Sequence, residues 1–384
     1  MTPRYGLLGI MSLMCVYTLY ARDGGDSSQL EKFKIKIPKT ELKVKQSVQI
    51  WNVVSMLNEA EPDAGRRNDI FIRRGRVGLQ GTSFNKIDFT LAIAYDGIGK
   101  DKIIEAFGNP NDPDNRVFMV WDAFFTYKAH SLFNTTFGYF RPQFGRENIT
   151  SAFYVIGFEK GLTNSMVRSH LLQRASGRET GVNFGGLYLG KLWSLNYNVG
   201  AFNPTAEELN GEGKRWYPLM TGRVALTVGD PEMDEYKLRY TQSYYGKRKG
   251  VTLAYNQAYQ GRTDVFMSNQ AGGVDLLLNF GPVDIVAEYA WFRRDTMNVD
   301  ERVRVASEAV SLKAGYNIVL FKSKLLQPVY TYTQSRTGSD RHFHDAGVNF
   351  LFYEDDLKAG LHYVWGRGQG DRYQYISMGI QLIF

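Results

Sequence analysis

Residues 87–96 read IDFTLAIAYD. Ile87, Phe89, Leu91, Ile93 and Tyr95 fall on one face of an extended chain, and Asp88, Thr90, Ala92, Ala94 and Asp96 on the other. Side chains of a strand alternate with a period of two, so the segment reads as a strand with one apolar and one wettable face. The split recurs. Val283, Ile285, Ala287, Tyr289 and Trp291 alternate with Asp284, Val286, Glu288 and Ala290. Leu357, Ala359, Leu361, Tyr363 and Trp365 alternate with Lys358, Gly360, His362 and Val364. The last segment sets Ile376, Met378, Ile380, Leu382 and Phe384 against Tyr375, Ser377, Gly379 and Gln381. Turn signals such as Gly281-Pro282 and Gly190-Lys191 separate segments of this kind. Longer polar stretches, at 203–219, 260–271, 294–306 and 335–342, alternate with the tight turns, and no helical stretch of comparable length competes.

Two architectures satisfy the pattern. In a soluble sandwich the apolar faces meet in a core; in a membrane barrel they face lipid while the wettable faces surround a lumen. The segments run roughly 9–12 residues, the length of a tilted strand crossing a bilayer. Aromatics gather at strand ends, and the chain closes on an alternating strand ending in Phe384. These features predict an all-β, antiparallel up-and-down transmembrane barrel. An even strand number is needed, and sixteen is expected, with eighteen as the alternative. The sixteen follow from reading 235–244 as an excursion on the short-turn side, because Asp230-Pro231 precedes it and GKRKG (246–250) follows it.

Residues 1–21, MTPRYGLLGIMSLMCVYTLYA, form an export-signal pattern with cleavage expected after Ala21. Residues 22–43 then form an N-terminal periplasmic segment and 44–384 the barrel. The single cysteine, Cys15, lies in the signal, so the mature chain has no disulfide or thiolate metal site. Net charge is +7 over 384 residues, with basic residues scattered rather than in runs. That distribution does not point to nucleic acid.

The stretch FIRRGRVGLQ (71–80) sets three arginines in a strand. Val77 and Leu79 look outward, so Arg74 and Arg76 look inward. Strict alternation would turn Arg73 to lipid, at about 2–4 kcal/mol near the midplane. Either a β-bulge turns both Arg73 and Arg74 to the lumen, which is the expected arrangement, or Arg73 sits near an interface. Arg223, Lys313 and Lys358 also fall on inward parity, against Asp88, Asp96, Asp275, Asp284 and Glu288.

The segments 70–96, 120–128 (VWDAFFTYK), 138–164 (GYFRPQFGRENITSAFYVIGFEKGLTN) and 281–294 (GPVDIVAEYAWFRR) resemble the phosphate-selective porin O/P family. The resemblance implies a sixteen-stranded outer-membrane barrel of a Gram-negative bacterium, a homotrimer with one channel per subunit. It implies a third long loop, about 141–178, folded into the lumen. By the same resemblance Arg73 and Arg74 match paired arginines at the constriction, Asp122 an acid beside them, and Lys160 a cation of the inward loop. Asn148 stands where phosphate-selective members carry a lysine.

The expected function is passive diffusion of small anions or polar solutes, with phosphate and polyphosphate among the candidates. The mixed wall favours general anion passage over phosphate selectivity. The expected pore site is Arg73, Arg74, Arg76, Lys160 and Asp122, with Arg223, Lys313 and Lys358 as secondary lumenal cations. Arg73 and Arg74 could also simply brace the wall through acids such as Asp122. The alternative function is a plugged barrel serving envelope assembly or surface binding. No cofactor, metal site or catalytic set is expected: His342 and His344 lack a third ligand, and no nucleophile, base and acid stand together.

Overall fold

The computed structural model describes residues 34–37, 40–59, 67–98, 118–174, 176–203, 217–263, 266–297, 302–321, 324–337, 339–368 and 370–384. The expected signal at 1–21 lies outside them. The strands are β1 (Lys34–Ile37), β2 (Thr40–Asn58), β3 (Arg67–Ser83), β4 (Ile87–Ala94), β5 (Met119–His130), β6 (Phe133–Phe140), β7 (Glu179–Leu189), β8 (Trp193–Phe202) and β9 (Leu219–Gly229). They continue as β10 (Lys249–Gln260), β11 (Phe266–Phe280), β12 (Val283–Met297), β13 (Arg302–Tyr316), β14 (Ile318–Phe321), β15 (Lys324–Thr337), β16 (Ser339–Tyr353), β17 (Leu357–Gly368) and β18 (Asp371–Ile383).

Successive strands pair antiparallel, except that β13 and β14 both pair with β15, and the ring closes where β18 meets β2, with Ile380 opposite Ile50. Two of the eighteen segments are not separate staves. β1 pairs with the first residues of β2, and β13 and β14 both pair with β15, as one stave interrupted at Asn317. Sixteen staves remain, the expected number, in a closed antiparallel barrel. The first stave begins at Thr40, four residues ahead of the boundary read from the sequence.

Alternation sorts the side chains as predicted. Ile50, Leu91, Ile93, Leu253, Met378 and Ile380 are exposed on the outside, while Gln49, Asn256, Asp275, Asn349 and Ser377 are buried within. A large apolar side chain gains about 1.5–3 kcal/mol on leaving water, so this outer belt suits hydrocarbon. Closure removes the unpaired edges that lipid could not satisfy.

Two segments enter the barrel. Residues 141–178, between β6 and β7, turn in from the long-loop end as short helical pieces, Arg146–Ile149, Ala152–Tyr154, Leu162–Met166 and Val167–Leu172. Phe144, Met166, Val167, Leu171 and Leu172 pack on Ala258, Ala271, Ala290 and Ala309 of the wall. These small wall residues leave the room that the loop fills. The loop turns inward at Gly145, whose φ of 71° suits glycine and where a Cβ would lie 2.7 Å from Glu288. Residues 230–248, between β9 and β10, enter from the short-turn end. They form no strand, as the excursion reading required, and bury Tyr236, Tyr240, Gln242 and Ser243.

The two inserts meet. Thr150 bridges Tyr240, the Gln242 amide donates to the Tyr154 carbonyl at 3.2 Å, and the Arg146 guanidinium grips the Glu232 carboxylate at 2.7 and 3.0 Å. Together they fill the barrel against the β7–β17 side and leave space along β2–β6.

Candidate functional site: a cation-lined passage

Between β2 and β3 the register steps from Gln49 opposite Arg74 to Ile50 opposite Ile72. The register skips Arg73, so the expected bulge lies there and turns both arginines inward. Both are buried, at 6 and 7 % exposure. Gly75 follows because the Tyr95 ring crosses it; a Cβ would lie 1.9 Å from that ring. The guanidinium carbons of Arg73 and Arg74 sit 5.2 and 5.7 Å from the Trp51 ring centre. Arg74 also donates to Gln49 Oε1 at 2.9 Å. Arg76 pairs with Asp96.

The acid facing Arg73 and Arg74 is not Asp122 but Glu159 of the inward loop. Arg73 Nε and Nη2 donate to its Oε2 at 3.1 and 2.9 Å, and Arg74 Nη2 reaches Oε1 and Oε2 at 2.5 and 2.6 Å. Burial alone would raise the Glu159 carboxyl; Arg74 and Arg73 outweigh it and hold it at about 2. Asp122 accepts instead from Arg178 Nε at 2.9 Å. Arg76 and Arg178 lie 3.9 Å from the Trp121 ring centre, a cation–π arrangement that stacks both guanidiniums on one ring.

Next to these pairs stand two cations whose hydrogen bonds go to carbonyl and amide oxygens. Arg141 donates to the carbonyls of Ile149 and Thr150 at 3.3 and 2.8 Å. Lys160 Nζ donates to the Asn148 carbonyl at 3.2 Å and Asn164 Oδ1 at 3.4 Å. Among the described residues neither has a carboxylate in ion-pair contact. Burial, then the nearby Arg141 and Arg168, push the Lys160 ammonium well below the usual lysine range. Crowded like charge of this kind is relieved by an anion.

A cavity of about 630 Å³ runs beside these groups. Its lining spans Glu41, Thr82 and Asp88 near the short-turn end to Arg168, Ser176 and Arg178 near the long-loop end. Eleven Lys or Arg residues line it against six Asp or Glu, so its net field is positive. All five expected pore residues, Arg73, Arg74, Arg76, Lys160 and Asp122, are among the lining.

The three secondary cations are not. Arg223 bonds Asp275 at 2.8 Å, Lys313 bonds Glu147 at 3.0 Å, and Lys358 bonds Asp355 at 3.0 Å and the Val155 carbonyl at 3.3 Å. Their inward parity is as read, but the inserts cover that part of the wall and use them as anchors. Asp275, Asp284 and Glu288 are likewise taken up by Arg146, Ser243 and the Glu147 amide. The sequence reading missed Glu159, Arg141, Arg178, Lys237 and Arg239. For Glu159 the signal was its place directly before Lys160; for Arg141 and Arg178, that they bracket the loop. His342 and His344 face outward on β16, where His344 stacks on Trp365 at 5.0 Å and bonds the Tyr330 hydroxyl at 2.7 Å.

Solved porins share the fold. The anion-selective porin of Comamonas acidovorans superposes with a TM-score of 0.59 at 10% identity, over 90% of this chain and 100% of that one. The Salmonella typhi OmpF complex with daunomycin gives 0.56 at 12% identity, over 92% and 100%. A loop-deletion mutant of the Vibrio cholerae outer membrane protein OmpT gives 0.54 at 12%, over 89% and 99%. No curated protein sequence matches the chain. The family profile described as phosphate-selective porin O and P matches residues 44–316. The chain therefore belongs to the phosphate-selective porin O and P family, and its closed barrel is that of an outer-membrane porin channel.

Proposed function

We propose that the protein passes small anions by diffusion through the space between the β2–β6 wall and the inward loop. The observation that carries this is a cavity whose lining residues reach from near one end of the barrel to near the other, with cations in excess along it. Anions are drawn in by the field, and release follows because Arg73, Arg74, Arg76 and Arg178 are each partly neutralised by an internal acid. The selective stretch in this reading is the group Arg73, Arg74, Arg76, Asp122, Arg141, Lys160 and Arg178. General anion passage is favoured over phosphate selectivity. Glu159 occupies the arginine pair, and Asn148, which brings no charge, turns its amide to the Pro142 carbonyl at 3.2 Å.

The long-loop end faces outward from the cell in this reading, and the subunits assemble as homotrimers with a channel each. Proteoliposomes loaded with an anion-sensitive dye test the transport. Rapid entry of chloride and phosphate, with slow entry of potassium, is expected. Vesicles no leakier than protein-free ones would favour the plugged alternative, in which the inserts close the barrel.

A further inference from the structure

We propose that Glu159 is a tethered counter-anion that sets the pore's anion preference by occupying the Arg73–Arg74 site itself. The proposal rests on the anion-channel reading above. The two guanidiniums converge on one carboxylate through four hydrogen bonds of 2.5–3.1 Å. Paired, inward-facing forks of this kind are the geometry that a phosphate-like oxyanion would take. Here the chain supplies the oxyanion. A permeating phosphate therefore meets Arg141 and Lys160, which contact carbonyl and amide oxygens and no carboxylate.

The bland role for Glu159 is to pin the loop, but the loop is pinned around it without that carboxylate. The Glu159 carbonyl accepts from Lys313 Nζ at 2.9 Å. On one side the Phe158 amide donates to Asp345 at 3.1 Å and its ring lies 4.1 Å from Trp51. On the other, the Gly161 amide donates to Glu147 and the Leu162 amide to Thr333 Oγ1, each at 2.7 Å. The backbone at 158–162 is thus fixed on both sides. Removing one negative charge without changing shape should leave the loop in place and free the arginine pair for solute.

The experiment uses the full-length protein in planar bilayers, with inorganic phosphate added to a chloride current. In Glu159→Gln, phosphate should half-block at an about tenfold lower concentration than in the wild type, because two charge-assisted donors become available. The chloride-to-potassium permeability ratio should rise with it. Glu159→Asp keeps the charge and should stay near the wild type in both. Adding Arg73→Gln and Arg74→Gln to Glu159→Gln should abolish the gained block. An unchanged phosphate block in Glu159→Gln, in a wild-type pore that does prefer anions, overturns the counter-anion role alone. So does a Glu159→Gln pore of enlarged conductance and lost selectivity, which would make the residue a loop pin. A wild-type pore that prefers potassium overturns the anion-channel reading beneath it.

Discussion

Gly75 stands between two inward arginines with the Tyr95 ring across it. Gly75→Ala must displace that ring, an overpacking that costs about 1–3 kcal/mol. The variant should lose its heat-modifiable gel mobility at a lower temperature than the wild type, and an unchanged transition would mean that Tyr95 yields freely. Arg73→Ala with Arg74→Ala leaves buried Glu159 with the Lys160 amide at 2.8 Å but without its guanidiniums, and turns a local net charge of one positive into one negative. The chloride preference should fall severalfold, by reversal potential; an unaltered ratio would assign both arginines to bracing.

Glu159 also has a pH signature. Its carboxyl is held down at about 2, so the charged form persists above that value and is lost as pH falls through it. The difference in selectivity between wild type and Glu159→Gln should therefore stay constant from neutral pH to roughly pH 3 and vanish below about 2. A difference that collapses near pH 4 would place Glu159 in a weaker arginine environment. What the sequence disclosed at this scale was the inward turn of the arginines, because Arg73 on lipid is too costly. It hid their partner, since Glu159 is 86 positions away from Arg73 and parity says nothing of loops.

At the scale of elements, the inward loop is held by buried ion pairs whose halves lie far apart in the chain. Glu147 takes Lys313 Nζ at 3.0 Å and Gln242 Nε2 at 2.6 Å. Lys313→Met leaves that carboxylate without its cation, a loss of about 3–5 kcal/mol where a buried pair is broken. The loop should loosen, seen as noisier single-channel current and faster protease cleavage within 141–178. A quiet, resistant pore would show that the wall contacts of Phe144, Leu171 and Leu172 suffice. Alternation in IDFTLAIAYD and its fellows made the strands legible. It also put Arg223 and Lys313 on the correct face, but it could not show that loops cover that face. The alanines at 258, 271, 290 and 309 were the readable trace of the loop's seat, since small residues inside a wide barrel leave space for something else.

For the molecule as a whole, closure followed from the two-residue period, and sixteen staves rather than eighteen from the even count together with the reading of 235–244 as an excursion. The inverted burial, apolar outside and polar within, decides between barrel and sandwich. The protein should stay with the membrane fraction until detergent is added. Its selectivity should be electrostatic, so raising salt from about 0.1 M to about 1 M, where the screening length drops from about 10 to about 3 Å, should weaken the chloride preference. A preference independent of salt would point to sieving by size. The reversal potential of the purified full-length pore across a potassium chloride gradient reads out whether the passage is open and positively lined. Open single channels are expected, with a reversal potential whose sign shows chloride exceeding potassium. A pore that favours potassium, or a correctly folded barrel that passes no current, would contradict that expectation.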